Sequence, residues 1–202
     1  MSFFRLKPPA ARGYLIFAVC LLLFALAGCA ASGATEHNAM LELRAKYIAM
    51  SEVTLSGRVS ADYGDRTYDY VLSYSGDGDR GTLKVSEPAV IDGLSAVLED
   101  GAVRFKYEGV LIDTGSLTGG LANGGISPVA AFPLFVKAWR SAYIKSSWRE
   151  SYGGTPCIAG EFVLSLGSEQ ITLRTWFEEA GFEALHCEIY NAAGSCVLTY
   201  DK

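Results

Sequence analysis

Val53-Thr54-Leu55-Ser56-Gly57-Arg58-Val59-Ser60-Ala61-Asp62 decides the fold. Odd positions are apolar or small and even positions are polar. Strict alternation is the mark of a strand with one face buried and one face wet. Gly64-Asp65 turns the chain, and the next run repeats the pattern. Tyr68, Tyr70, Leu72 and Tyr74 alternate with Thr67, Asp69, Val71 and Ser73. Gly76-Asp77-Gly78-Asp79 predicts a second turn, and Leu83 and Val85 a third strand stopped by Pro88. Strands near 95–99 and 102–108 meet at Asp100-Gly101, a hairpin signal. Val110-Leu111-Ile112 adds a short strand. Adjacent runs joined by tight turns make an antiparallel meander. Its apolar face carries Leu55, Val59, Tyr68, Tyr70, Leu72, Tyr74, Phe105 and Tyr107.

The period changes on either side of this meander. Met40, Leu43, Tyr47 and Met50 recur at spacings of three and four, predicting an amphipathic helix capped by Thr35 or Asn38. Glu42, Arg44 and Lys46 fall mainly on its other face. Residues 114–126 are rich in Gly, Ser and Asn and read as a loop. A second helix, lined by Phe132, Phe135 or Val136, Trp139 and Tyr143, opens at Ser127-Pro128 or Phe132-Pro133. Pro133 requires a late start or two short pieces, because a proline deeper inside would break the helix. Strands near 144–152, 160–166, 171–178, 183–190 and 195–200 form a second meander, and no linker separates it from the first. The expectation is one α+β domain over residues 36–202, with about eleven strands and helices packed on one side.

The order of elements resembles the LolA/LolB-like lipoprotein carriers. The resemblance is carried by Ile171-Thr-Leu-Arg-Thr-Trp176-Phe-Glu-Glu-Ala-Gly181, by Glu183-Ala-Leu-His-Cys-Glu-Ile-Tyr190 and by Ser195-Cys-Val-Leu-Thr-Tyr200. The helix leading into Val53–Tyr63 fits as well, and the Gly/Tyr-rich first meander looks closer to the germination-lipoprotein (GerS-like) branch. This implies an antiparallel half-barrel sheet of about eleven strands covered by two or three helices. It also implies a non-enzymatic binding module for an acyl chain, a lipoprotein or a hydrophobic partner segment. The alternative it implies is a regulatory or structural partner of an envelope or spore-cortex enzyme, with no small ligand. Shared fold alone does not choose between them.

The N-terminus indicates where the protein works. Arg5, Lys7 and Arg12 precede an apolar core, Leu15–Leu26, which is of signal-peptide length and short for a membrane span. Leu26-Ala27-Gly28-Cys29 closes it and resembles the lipobox of bacterial lipoproteins. The resemblance implies removal of residues 1–28, lipidation of Cys29, and a tether over 29–35. The protein is then anchored on the extracytoplasmic side of the cell membrane. In an envelope with two membranes, Ala30 permits delivery to the outer one.

Bulk properties exclude several functions. Residues 1–28 carry three of the 17 basic residues and none of the 22 acidic ones, so the remaining 174 residues have a net charge of 14 − 22 = −8. An acidic surface opposes nucleic-acid binding and electrostatic adhesion to anionic headgroups. Cys157, Cys187 and Cys196 remain after Cys20 and Cys29 are accounted for. An odd number allows at most one disulfide, and no spacing suggests a zinc site. Asp113-Thr114-Gly115-Ser116 follows an apolar strand in the manner of aspartic proteases, but no second copy or supporting strand follows, so a strand leading into a turn is the reading. Asp77 and Asp79 fail as an EF-hand, because its closing glutamate position is Pro88. His186 and Cys187 are strand neighbours and face opposite ways, which excludes a dyad. No cofactor and no metal is expected. What remains is aromatic. Tyr68, Tyr70, Leu72, Tyr74, Phe105, Tyr107 and Trp139 are the candidate ligand-binding residues, lining a gap between the second helix and the Tyr70–Tyr74 strand.

Overall fold

The structure is a computed structural model that describes residues 35–116 and 126–202. The expected signal peptide, Cys29 and nearly all of the tether lie outside the described residues, as does most of the 114–126 loop. A first helix, α1, covers 35–49, so Thr35 belongs to the helix. Six strands follow: β1 Val53–Asp62, β2 Thr67–Gly76, β3 Arg80–Glu87, β4 Ser95–Glu99, β5 Ala102–Tyr107 and β6 Val110–Ser116. A 3-10 turn, Pro128–Ala130, runs into α2, Ala131–Ser141. Pro133 therefore sits in the first turn of α2, where its missing N–H has no intrahelical acceptor to lose. The chain closes with β7 Tyr143–Tyr152, β8 Thr155–Leu166, β9 Glu169–Glu178, β10 Ala184–Tyr190 and β11 Cys196–Asp201.

The strands form one antiparallel sheet of 11, in the order β6-β5-β4-β3-β2-β1-β11-β10-β9-β8-β7. The two meanders are thus joined where β1 pairs with β11, and the sheet is open, with β6 and β7 at its edges. The β4–β5 turn is the one Asp100-Gly101 predicts, with both residues at positive φ (51° and 82°), as a two-residue hairpin requires. β6 runs past the expected strand Val110–Ile112 to Ser116, so Asp113 lies within a strand instead of at its end. A register shift at Val103/Arg104 lets Gly115 pair with Val103 and keeps the ladder going.

Alternation assigns the faces correctly. Register places Leu55, Tyr74, Leu83, Ala96, Phe105 and Ile112 in one row across six adjacent strands, all on the side of the helices. α1 and α2 lie on that side. Met40 of α1 enters the sheet at Gly160 of β8, where an added Cβ would sit 2.6 Å from the Met40 methyl carbon. Arg44, expected on the outer face of α1, is half-buried instead. Its Nε donates to the Trp139 carbonyl (3.1 Å) and its Nη2 to the Ala142 carbonyl at the end of α2. Arg140 of α2 returns the contact by donating to the Met50 carbonyl at 2.6 Å. Each guanidinium fills carbonyls that a helix end leaves unpaired, which locks the two helices end to end.

Candidate functional site

The helices cover only part of the concave face. Under them the interior is solid. Phe132, Phe135 and Trp139 are all 0 % exposed, and Phe135 stacks on Trp139 with an interplanar angle of 8°. Tyr47 and Phe177 pack on the same indole at 4.8 and 5.3 Å between ring centres. The Trp139 Nε1–H donates to the Thr175 hydroxyl at 3.0 Å, so its polar atom is satisfied within the core. Tyr74 is equally enclosed. Its ring lies against Phe132, and its hydroxyl accepts the Gly78 N–H at 3.0 Å. That hydrogen bond, and Asp77 Oδ1 accepting from Asp79 N and Arg80 N, make the Asp77–Asp79 stretch a structural turn.

The seven residues expected to bind a ligand therefore separate into two groups. Leu72, Tyr74 and Trp139 belong to the packed interior. The gap expected between α2 and the Tyr70–Tyr74 strand is closed at this depth by Phe132 and Phe135. Tyr68 and Tyr70 stay partly accessible at the start of β2, beside Ala61 and Val59 of β1, and Phe105 and Tyr107 near the β6 edge of the same face. Burial falls over the last four strands of the row: Leu83 is 0 % and Ala96 1 % exposed, Phe105 is half-buried, and Ile112 is 51 % exposed. Val110, on the same face of β6 and paired with Tyr107, is 59 % exposed. Ile91 and Leu94, half-buried beside the core, border this end, and the Tyr107 hydroxyl donates to the Val90 carbonyl at 3.3 Å.

This apolar end includes two residues that sequence reasoning did not single out for binding, Val110 and Ile112. Their signal was present: three consecutive large apolar residues, Val110-Leu111-Ile112, cannot all face one buried side of a strand whose side chains alternate. An exposed apolar surface at a sheet edge marks an interaction site.

The opposite, convex face holds a different cluster. Trp148, Tyr152, Trp176 and His186 pack ring on ring, with Tyr152 stacked on His186 at 4.6 Å. The Tyr152 hydroxyl donates to Asp201 Oδ1 at 2.6 Å, and His186 Nδ1 lies 2.7 Å from the same oxygen. Burial, reinforced by the bond to Asp201, pushes the Tyr152 phenol up to about 12, so it acts as a donor at neutral pH. Cys187, next along β10, points into the core as alternation requires. Cys157, Cys187 and Cys196 are unpaired with one another, and burial raises all three thiols, away from the thiolate form a nucleophile needs.

Among the described residues there is no group of three or more His, Cys, Asp or Glu side chains arranged to hold a metal ion. No described helix is long and apolar enough to cross a membrane.

No protein-family model matches the chain. No curated protein matches it. Solved structures do match. One is a LolA superfamily protein from Nitrosomonas europaea, 18 % identical, covering 79 % of this chain and 73 % of its own, with a TM-score of 0.38. A second is the lipoprotein LppX from Mycobacterium tuberculosis, 12 % identical over 83 % of this chain and 92 % of its own, TM-score 0.36. A third comes from the CwlD amidase of Clostridioides difficile in complex with the GerS lipoprotein, 14 % identical over 80 % and 89 %, TM-score 0.36. The described residues form an α+β fold, one open sheet of 11 antiparallel strands with two α-helices on one side.

Proposed function

We propose that this chain is a non-enzymatic, lipid-anchored envelope protein that holds an apolar ligand on the open end of its concave sheet. The ligand is an acyl chain, of a lipid or of a lipoprotein, or a hydrophobic segment of a partner protein. The observation that carries the reading is the burial gradient from Leu83 to Ile112. One continuous apolar face is covered by helices at one end and accessible at the other. Tyr68, Tyr70, Phe105, Tyr107, Val110 and Ile112 form the contact surface, with Leu72, Tyr74 and Trp139 as the rigid base behind it. The alternative, a regulatory partner of an envelope or spore-cortex enzyme, is supported by the filled interior beneath α2: a ligand lies along this sheet instead of being swallowed by it. In both readings Cys29 is the lipidated residue and the membrane contact, and no cofactor or nucleic acid takes part.

The test is binding of a fluorescent long-chain fatty acid, and of an apolar peptide, to the wild type and to a Phe105→Ser/Ile112→Ser variant. Ile112 is 51 % exposed, whereas Phe105 packs partly buried against the core, so thermal unfolding of the variant is measured beside its binding. Removing two apolar side chains from a contact is worth about 2–3 kcal/mol, so affinity is expected to fall at least about tenfold. The probe that responds identifies the ligand class. Unchanged binding of both probes would falsify the site.

A further inference from the structure

The aromatic cluster on the convex face has a composition that core packing does not require. Register sets its side chains in rows. Trp148, Ala159, Trp176 and His186 stand in one row across β7, β8, β9 and β10. Glu150, Cys157 and Glu178 form the next row toward the β7–β8 turn. Ala159 and Cys157, the small residue in the middle of each row, are 0 % and 1 % exposed, so their larger neighbours close over them. The two indoles meet at 88° with 6.3 Å between ring centres, and Tyr152 lies 6.1 Å from Trp176. All three rings are half-buried, so each keeps part of its surface in solvent.

The Trp148 and Trp176 Nε1–H groups both donate to Glu150 Oε1. Glu150 is an exposed side chain, yet two donors from different strands fix where its carboxylate stands. Neither donor is charged, so the carboxylate is held without being neutralised. Among the described residues no Lys or Arg forms an ion pair with Glu150 or Glu178, and none lies over either indole. The cations of the same two strands are engaged elsewhere. Arg149 pairs with Glu36 and Glu179, and Lys145 and Arg174 with Glu161. The row on the other side of the indoles shows what such a combination of groups takes. There Glu161, Arg174 and Glu188 stand side by side on β8, β9 and β10. The Arg174 guanidinium lies over the Tyr190 ring, 4.9 Å from its centre, and its Nε donates to Glu161 Oε2 at 2.9 Å. A planar cation laid on a ring, with an N–H edge on a carboxylate, is already a building unit of this face.

We infer that this aromatic ledge binds an arginine side chain on an exposed segment of a partner protein, with the guanidinium against the indole surface of Trp148 and Trp176 and an N–H edge on Glu150. Charge favours this occupant. The chain after residue 28 has a net charge of −8, so a basic segment is drawn in and an acidic one repelled. Shape selects arginine over lysine: a guanidinium is planar, stacks on rings and sheds water more readily than the compact ammonium. An acyl chain offers Glu150 nothing. The ledge lies on the face of the sheet opposite the Phe105–Ile112 surface and does not depend on it.

The probe is the blocked peptide acetyl-Gly-Ser-Arg-Ser-Gly-amide, titrated against the whole mature chain at low salt. One control carries citrulline in place of arginine, which keeps the planar shape without the charge. The other carries lysine, which keeps the charge without the plane. Tryptophan emission reads the binding: Trp139 is 0 % exposed, so a change reports on Trp148 and Trp176. The arginine peptide is expected to bind at least about fivefold more tightly than either control, and to weaken as salt is raised. Glu150→Gln keeps an oxygen for the two indole N–H groups and removes the charge. It is expected to weaken the arginine peptide by a similar factor and to leave the citrulline peptide unchanged. Trp148→Leu removes one ring and should weaken the arginine peptide as well. Should Trp148→Leu disturb folding, Glu150→Gln, at an exposed position, carries the test. No binding of the arginine peptide, equal binding of the citrulline or the lysine peptide, or full binding by Glu150→Gln overturns the inference. Phe105→Ser/Ile112→Ser leaves this binding unchanged, so failure here and failure of the apolar surface are read separately.

Discussion

Trp139→Ala is expected to cost about 3–5 kcal/mol of stability, the range for emptying a large aromatic site in a packed core. The indole is 0 % exposed and touches rings from three directions: Phe135 in its own helix, Tyr47 of α1 and Phe177 of β9. The neighbours cannot collapse into the space, because each is fixed by something else. Tyr47 is tied by its hydroxyl to Phe182, and Phe177 by its place in the β8–β9–β10 ladder. The substitution also strips the Thr175 hydroxyl, itself 0 % exposed, of the donor it accepts from. An unmatched buried polar group adds to the loss. For a domain of this size the change corresponds to a melting temperature lower by roughly 6–20 °C. Trp139→Phe keeps most of the volume and loses the N–H, so it should fall between wild type and Trp139→Ala. Denaturant unfolding measures both. A loss below about 1 kcal/mol for Trp139→Ala would mean that the indole is replaceable and that the interior is looser than the ring contacts describe.

The same residue shows what a single sequence can and cannot convey. Spacing placed Trp139 on the apolar side of a helix, and alternation placed Tyr70, Tyr74 and Phe105 on the apolar side of a sheet. Both are local properties of the backbone, with periods of 3.6 and 2, and both are right. Whether two such faces meet, and how far along the sheet the helices reach, is not local. It depends on where α2 crosses β1 and β8 and on the two arginines that lock α1 to α2. The seven residues look equivalent in the sequence, yet Trp139 is sealed while Tyr68 is 42 % exposed. Arg44 was misplaced for the same reason. Its position on the helical wheel points outward, but its side chain is long enough to reach back to the last carbonyls of α2.

Cys29→Ala is expected to abolish lipidation and to leave the precursor uncut at this site, and the chain's own charge leaves the lipid as the attraction to the membrane. Acyl burial supplies about 0.8 kcal/mol per CH2, and one chain of ordinary length gives only marginal, reversible attachment. Many acylated proteins add a basic patch as the second attraction. Here the chain after residue 28 carries 14 basic and 22 acidic residues, a net charge of −8, so anionic headgroups repel it on balance. Stable anchoring through Cys29 therefore needs more than one acyl chain, and the mass of the membrane-extracted protein should exceed that of residues 29–202 by at least two of them. In the alanine variant, labelled palmitate should not be incorporated, and the precursor should keep residues 1–28. Raising the ionic strength should leave wild-type attachment intact, since hydrophobic burial is not screened as surface charge is. Palmitate incorporation unchanged in Cys29→Ala would place the acyl group elsewhere. Release of the wild type by salt would show that charge, not lipid, holds it.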